Sequence, residues 1–308
     1  MGTPDIAAKS LASLYEAGFN IVGAVTNPDK QSGRGMKFVY SPVKEYALEK
    51  GITVYQPEKI SKNDEFKDLV RSLDIDLVCV VAYGKILPKS FLEIPKLGCI
   101  NVHGSLLPKY RGAAPIQWSV LNGDKVTGIT TMYMDPGMDT GDMILKEEVE
   151  IGEDETTGEL WERLSEVGAR LLVKTVKLVE EGNAPREKQN DEDATYAPML
   201  EKEMSKIDWN SKTALEIKNL VRGLNPFMGT YSFIGDKKYK IWKVSVVETE
   251  AKEKPGTVVV SNPKEGLMVA TSDNKLISIL EIQAENAKKM NIGDFLRGNR
   301  IEIGETFE

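Results

Sequence analysis

The chain has 308 residues, 41% hydrophobic and 28% charged, with a net charge of −7. That length exceeds one ordinary compact domain, and the composition supports a sizeable core, so a globular protein of two domains is expected rather than a disordered or fibrous one. Two cysteines without CxxC spacing (Cys79 and Cys99) and a single histidine argue against a disulfide framework and against a zinc site. No apolar run of about 18 residues and no basic-then-apolar leader is present, so a cytoplasmic protein with no membrane contact and no metal is expected.

Taken in chain order, residues 5–17 read as a helix with Ile6, Leu11, Leu14 and Tyr15 inward and Gly18 as the stop. The apolar run 21–25 reads as a buried strand, and a Gly- and Pro-containing loop over 27–40 leads to a helix at 42–50. A strand at 53–55, a helix at 64–73 and strands at 77–82 and 98–102 follow. A helix at 115–121 precedes strands at 129–134 and 143–149, and a long helix spans 155–181. Alternating strands and helices, with nearly continuous apolar strands, predict an α/β fold over 1–182: a doubly wound, mostly parallel, Rossmann-like sheet. The chain opens on Met1-Gly2-Thr3-Pro4-Asp5, which reads as the turn after a first strand. Such sheets ordinarily begin with a central strand, so the natural start is expected upstream.

Residues 183–204, rich in Asn, Asp and Glu with little periodicity, read as a linker. Beyond it come residues 207–209, a helix at 212–222 and short strands near 230–233, 238–246, 256–260, 266–271 and 276–283. Turn signals such as Ile234-Gly235-Asp236 and Ser272-Asp273-Asn274 separate them, a rhythm that predicts an OB-like β-barrel over 205–308. This second part carries 16 Lys and Arg against 14 Asp and Glu, a net of +2 in a chain of −7. The overall charge argues against a protein that merely coats nucleic acid, but it leaves room for a local basic surface.

The lone histidine, His103, lies just past an apolar strand, where open α/β sheets place their ligands. A solitary histidine is ordinarily a packing or surface residue, but its surroundings shift that expectation. Asn101, two residues earlier, faces the same side of the strand. A loop with Gly104, Ser105 and Pro108 follows, and a second loop over 135–142 offers carboxylates between two strands. Amide, imidazole and carboxylate together can polarise a carbonyl, stabilise an oxyanion and move protons.

The run from Asn101 to Ile116 (NVHGSLLPKYRGAAPI), with Met134 to Met143 (MDPGMDTGDM), resembles the methionyl-tRNA formyltransferase family. The likeness continues through Gly2-Thr3-Pro4-Asp5, Gly33-Arg34-Gly35, Val81-Ala82-Tyr83-Gly84, Ile207-Asp208-Trp209 and Leu224-Asn225-Pro226. It covers essentially the whole chain apart from the absent first strand. The resemblance implies a formyltransferase-type catalytic domain that uses 10-formyltetrahydrofolate, releases tetrahydrofolate and formylates the α-amine of initiator methionyl-tRNA for translation initiation. It places a catalytic trio on Asn101, His103 and Asp139 with the family's 38-residue gap, and folate contacts on Ser105, Leu106, Leu107 and Pro108. Asp142, the other acid near it, is expected to brace the turn. The resemblance also implies a monomer.

The loop from Asn27 to Lys44 carries Lys30, Arg34, Lys37 and Lys44 against Asp29. On composition it is equally a solvated loop, whereas the resemblance makes it a wedge into the tRNA acceptor arm with Arg34 at the critical position. Lys237-Lys238-Tyr239-Lys240-Ile241-Trp242-Lys243 reads as a strand with Tyr239, Ile241 and Lys243 on one face and Lys238, Lys240 and Trp242 on the other. That is either an ordinary half-buried strand or, through Lys237, Lys238 and Lys240, a track for tRNA backbone. Lys202 matches a lysine that the resemblance places near the tRNA. The alternative acceptor is a small amine, such as glycinamide ribonucleotide or an amino sugar, which needs no basic second domain. A dinucleotide-binding dehydrogenase is disfavoured because no GxGxxG follows a strand, and a Ser-His-Asp hydrolase because Ser105 is not on a GxSxG elbow.

Overall fold

The structure, a computed structural model, describes residues 1–32 and 37–308. They form two compact units: Met1–Pro115 with Val126–Glu150 and Trp161–Pro198, and Ile116–Lys125 with Ile151–Leu160 and Met199–Glu308.

The first unit begins with α1 (Asp5–Glu16), which buries Ile6, Ala7, Ser10 and Leu14; Tyr15, expected inward, is exposed and meets the edge of Tyr46. Strands β1 (Ala24–Val25), β2 (Lys30–Ser32) and β3 (Lys37–Val39) follow. Next are α2 (Pro42–Glu49), β4 (Val54–Tyr55), α3 (Asp64–Ser72), β5 (Val78–Val81), α4 (Lys89–Leu92) and β6 (Cys99–His103). The unit continues through β7 (Val126–Tyr133) and β8 (Met143–Glu150). Helices α5 (Pro115–Leu121) and α6 (Thr157–Glu180) contribute residues to both units. Helix starts carry the expected signals: Ser41 accepts from the Lys44 amide with Pro42 at the first helical position, and Asn63 accepts from Phe66.

Strands β1 and β4 are parallel, as are β5 and β6, whereas β7 and β8 extend the sheet antiparallel in the order β5-β6-β7-β8. The chain between β7 and β8 is too short for the crossover that a parallel pair needs. The start of the chain supplies one rung between β1 and β5: the Gly2 amide donates to the Val25 carbonyl at 2.9 Å and the Val81 amide to Met1 at 2.9 Å. Beneath that rung lies a cavity of about 450 Å³, lined by Ile21, Val22, Leu77, Cys79 and neighbouring apolar side chains. The strand expected at 21–25 is correspondingly regular only at Ala24–Val25.

The second unit holds α7 (Ala214–Leu224), β9 (Thr230–Ile234), β10 (Lys237–Val247), β11 (Val258–Asn262), β12 (Gly266–Ala270), β13 (Leu276–Ala284), β14 (Met290–Asn291) and α8 (Ile292–Gly298). Its antiparallel sheet runs β11-β12-β13-β10-β9, with β14 on β13. No strand of this ladder pairs β9 with β11 directly. Between β9 and the approach to β11 lies the tail of the chain instead: Phe233 and Glu308 exchange backbone hydrogen bonds of 2.9 and 2.8 Å, and the Phe307 amide donates to Gly256 at 2.8 Å. Phe307 turns inward onto the buried Trp209, ring centroids 5.7 Å apart, and Trp209 donates through Nε1 to Ser232 at 2.9 Å.

Strand β10 departs from simple alternation. Tyr239 and Ile241 share a face, as expected, and it is buried, but a bulge around Lys243 resets the register, so Lys243 is exposed and Val244 takes the inward place. No helix among the described residues is long and apolar enough to cross a membrane.

Candidate active site

Strand β6 ends on His103, which pairs with Thr130 of β7 and is 5% exposed. Its Nε2 lies 2.9 Å from the Tyr110 carbonyl. A carbonyl can only accept, so Nε2 carries the proton and donates it there. That leaves Nδ1, which faces Asp139 Oδ2 at 3.7 Å, within ion-pair range but longer than a hydrogen bond. The structure thus brings two of the three expected catalytic groups together. Asn101 shares the face of His103 on β6, is half-buried, and its amide has no hydrogen bond among the described residues. An unspent, partly desolvated amide beside an imidazole–carboxylate pair is suited to receive charge developing on a carbonyl oxygen.

Asp139 sits in the loop between β7 and β8 with φ 56°, a left-handed backbone that Asp tolerates and most side chains do not. Its Oδ2 accepts from the Gly112 amide at 2.8 Å. Gly112 has φ 123°, and a Cβ there would stand 2.7 Å from the Ala197 carbonyl oxygen, so only glycine lets this amide reach the carboxylate. The turn itself is braced by Asp135, whose Oδ1 accepts from the Gly137 amide and the Thr140 hydroxyl. Asp142, expected in that role, instead faces Arg186 at 3.5 Å, and the Arg186 guanidinium lies 3.6 Å over the Tyr133 ring.

The loop after His103 is built inward. Ser105 is fully buried and donates to the Lys109 carbonyl at 2.6 Å. Thr130 binds both sides of the turn, donating to the Ser105 carbonyl and accepting from the Leu107 amide. Leu107 is 2% exposed and packs with Met132 and Met143. Of the four expected folate-contact residues, only Leu106 and Pro108 therefore offer partly open side chains; Ser105 and Leu107 hold the loop.

Several residues that shape the site were not foreseen from sequence. Arg111, 2% exposed, donates through Nε to Gln189 at 3.0 Å and through Nη2 to Asp191 at 2.8 Å. Gln189 donates through Nε2 to the carbonyls of Asp139 (2.7 Å) and Gly141 (2.9 Å). The stretch expected as a linker is pinned at several points: Glu187 pairs with Met143, and Thr195 and Ala197 pair with Arg111. Nothing in its polar, aperiodic sequence marks Gln189, and the Arg111-Gly112 pair was a motif without an assigned task.

Of the expected tRNA contacts, Arg34 lies outside the described residues, and for Lys37 only its backbone, in β3, is described. Lys44 is occupied internally, at 2.5 Å from Asp29 and 2.9 Å from Gln56, and this pairing holds the Asp29 carboxyl below its usual range. Lys202, Lys237 and Lys240 are exposed, while Lys238 is half-buried with its ammonium 3.8 Å over the Tyr231 ring. Among the described residues, no group of three His, Cys, Asp or Glu could hold a metal ion.

Two family models match the chain: formyl transferase over residues 1–176 and the formyl transferase C-terminal domain over residues 199–300. The N-formyltransferase of Helicobacter canadensis, solved with folinic acid and dTDP-3-aminofucose, shares the fold at a TM-score of 0.67 and 21% identity, over 90% of this chain and 97% of its own. HypX of Aquifex aeolicus, solved with tetrahydrofolic acid, shares it at 0.58 and 15% identity, over 85% of this chain and 47% of its own. Fold and matched domains define the class as formyl transferase. The methionyl-tRNA formyltransferases of Clostridioides difficile and Caldanaerobacter subterraneus are each 52% identical over 304 residues, covering 99% of this chain and 97% of theirs. That of Clostridium perfringens is 47% identical over 308 residues. The chain belongs to the methionyl-tRNA formyltransferase family.

Proposed function

We propose that this chain is a cytoplasmic, monomeric enzyme that moves a formyl group from 10-formyltetrahydrofolate to the α-amine of initiator methionyl-tRNA. The observation that carries the chemistry is the Asn101 amide, without a hydrogen bond among the described residues, on the same strand face as His103, whose Nδ1 looks onto Asp139. The residues present fit a folate: the Asn101 amide suits a carbonyl, and half-buried Leu106 and Pro108 in the adjoining loop suit a flat apolar ring. Ser105 and Leu107 contribute by fixing that loop. When bound, the folate supplies an activated formyl carbon on N10, and attack by the amine forms one C–N bond as the bond to N10 breaks.

Asn101 donates to the formyl oxygen as negative charge develops there. Asp139 takes the proton that the attacking nitrogen releases and faces it toward Nδ1 of His103. His103, held by the Tyr110 carbonyl through Nε2, receives that proton on Nδ1; its positive charge then steadies the oxyanion, and Nδ1 gives the proton to N10 as the bond from carbon to N10 breaks. Residues 1–182 carry this chemistry, 183–204 connect, and 205–308 carry tRNA contacts together with Lys202 of the connection and Arg34 and Lys37 of the first domain. Exposed Lys202, Lys237 and Lys240, with Lys238 stacked on Tyr231, form the basic face for tRNA backbone, and Arg34 and Lys37 serve the acceptor arm. Formylation of a small amine is not favoured, because full-length identity near 52% lies with the tRNA enzymes and the sugar formyltransferase likeness is 21%.

Single-turnover formylation of charged initiator tRNA tests the assignment. Replacing Asn101 by Ala is expected to slow transfer about 10²–10³-fold, and His103→Ala or Asp139→Ala about 10²–10⁴-fold. Transfer at the parental rate in either of the last two variants removes the pair from the mechanism.

A further inference from the structure

We infer that Gln189 is a positioning residue for Asp139, and this rests on Asp139 acting in formyl transfer. The carboxylate is approached from two directions. Its backbone belongs to the loop between β7 and β8, held in the left-handed region at φ 56°, and its Oδ2 accepts from the Gly112 amide on a separate loop. Gln189 touches both loops. Its Nε2 spends its hydrogens on the carbonyls of Asp139 and Gly141, which flank the aspartate's outgoing backbone. Its Oε1 accepts from Nε of Arg111, the residue immediately before Gly112. One amide therefore sets the distance between the backbone that carries the carboxylate and the amide that the carboxylate binds.

The amide is itself fixed rather than free to follow the loop. Two residues earlier, Glu187 exchanges backbone hydrogen bonds of 3.0 and 2.8 Å with Met143 at the start of β8. The Arg111 guanidinium, 2% exposed, is anchored on its far side by Asp191 at 2.8 Å, two residues after Gln189. The orientation of the Gln189 amide is determined by its neighbours: two carbonyls demand the NH₂ end and an arginine N–H demands the oxygen. Neither glutamate nor methionine can satisfy that set. Glutamate lacks the donors and turns negative charge toward two carbonyl oxygens, and methionine leaves all three partners unpaired. Loss of the amide releases the strained backbone of Asp139 and shifts its carboxylate relative to Nδ1 of His103, where a displacement of about 1 Å costs on the order of 100-fold in rate.

The test is a double-mutant cycle on kcat for formyl transfer to charged initiator tRNA. Gln189→Met and Gln189→Glu are each expected to lower kcat about 10- to 100-fold while KM for tRNA and for the folate stays within about twofold. Thermal unfolding of each variant identifies losses that come from misfolding. In an Asp139→Asn background the same substitutions are expected to cost nothing further, since the group they position is already gone. An unchanged kcat in both Gln189 variants, or an equal loss with and without Asp139, overturns the inference. Parental turnover in Asp139→Asn alone instead overturns the role given to Asp139, so the two failures are told apart.

Discussion

Asp139 and His103 show how a residue's chemistry is set by what surrounds it. The histidine has one nitrogen committed to the Tyr110 carbonyl at 2.9 Å, which leaves its second nitrogen for proton transfer on the side of the aspartate. The aspartate is held by Gly112 and by a backbone conformation that few side chains accept. The two cysteines lie close by in β5 and β6 but are placed for packing. Burial pushes the Cys79 thiol up to about 11 and the Cys99 thiol up to about 12, from an ordinary 9.0. Both thiols are therefore expected to stay protonated at pH 8 and to react with an alkylating agent far more slowly in the native protein than in denaturant. Above pH 9 the unfolded chain loses these protons while the native chain keeps them, so stability is lost as pH rises toward 12. Native-state labelling at the rate of a free thiol contradicts this.

Among the elements, those with a strong local signal were legible in the sequence. The helix read at 115–121 is α5 with the same bounds, and the long helix read at 155–181 is α6, Thr157–Glu180. The apolar strands that carry the site were also legible, because buried strands leave continuous apolar runs. What escaped was set by tertiary structure. The antiparallel pair β2 and β3 lies in a polar stretch, Lys243 is turned outward by a bulge, and the seam beside β9 is taken by the tail of the chain rather than by a strand. The placing of Asn101 on the strand face of His103, and of a carboxylate from the 135–142 loop against that histidine, was legible, whereas the burial of Ser105 and the amide of Gln189 depend on partners 25 to 78 positions away. Helix α7 illustrates the local kind: Thr213 accepts from the Glu216 amide while the Glu216 carboxylate accepts from Thr213, a complete capping box. Thr213→Ala is expected to lower the unfolding free energy by about 1 kcal/mol in a denaturant titration, with activity unchanged. A loss below a few tenths of a kcal/mol contradicts that contribution.

Across the whole molecule, charge separates into what is spent and what is offered. Lys44 is tied to Asp29 and Lys218 to Asp154, while the buried Arg222 donates to the Gly152 and Glu155 carbonyls. Burial holds the Arg222 guanidinium below its usual value. None of these is free to bind a polyanion. Lys202, Lys237 and Lys240 are exposed, and residues 205–308 carry a net charge of +2 in a chain of −7, which is the charge that the proposed contact with an RNA backbone draws on. The proposed reaction needs only an amine; the proposed contacts of Lys202, Lys237 and Lys240 are what would tie that amine to a tRNA. The direct measurement is formyl transfer from 10-formyltetrahydrofolate to methionyl initiator tRNA and to glycinamide ribonucleotide, side by side. The account predicts a kcat/KM for the tRNA at least about a hundredfold higher, falling steeply as salt is raised. Equal or faster transfer to the small amine, or transfer to tRNA indifferent to salt, contradicts it.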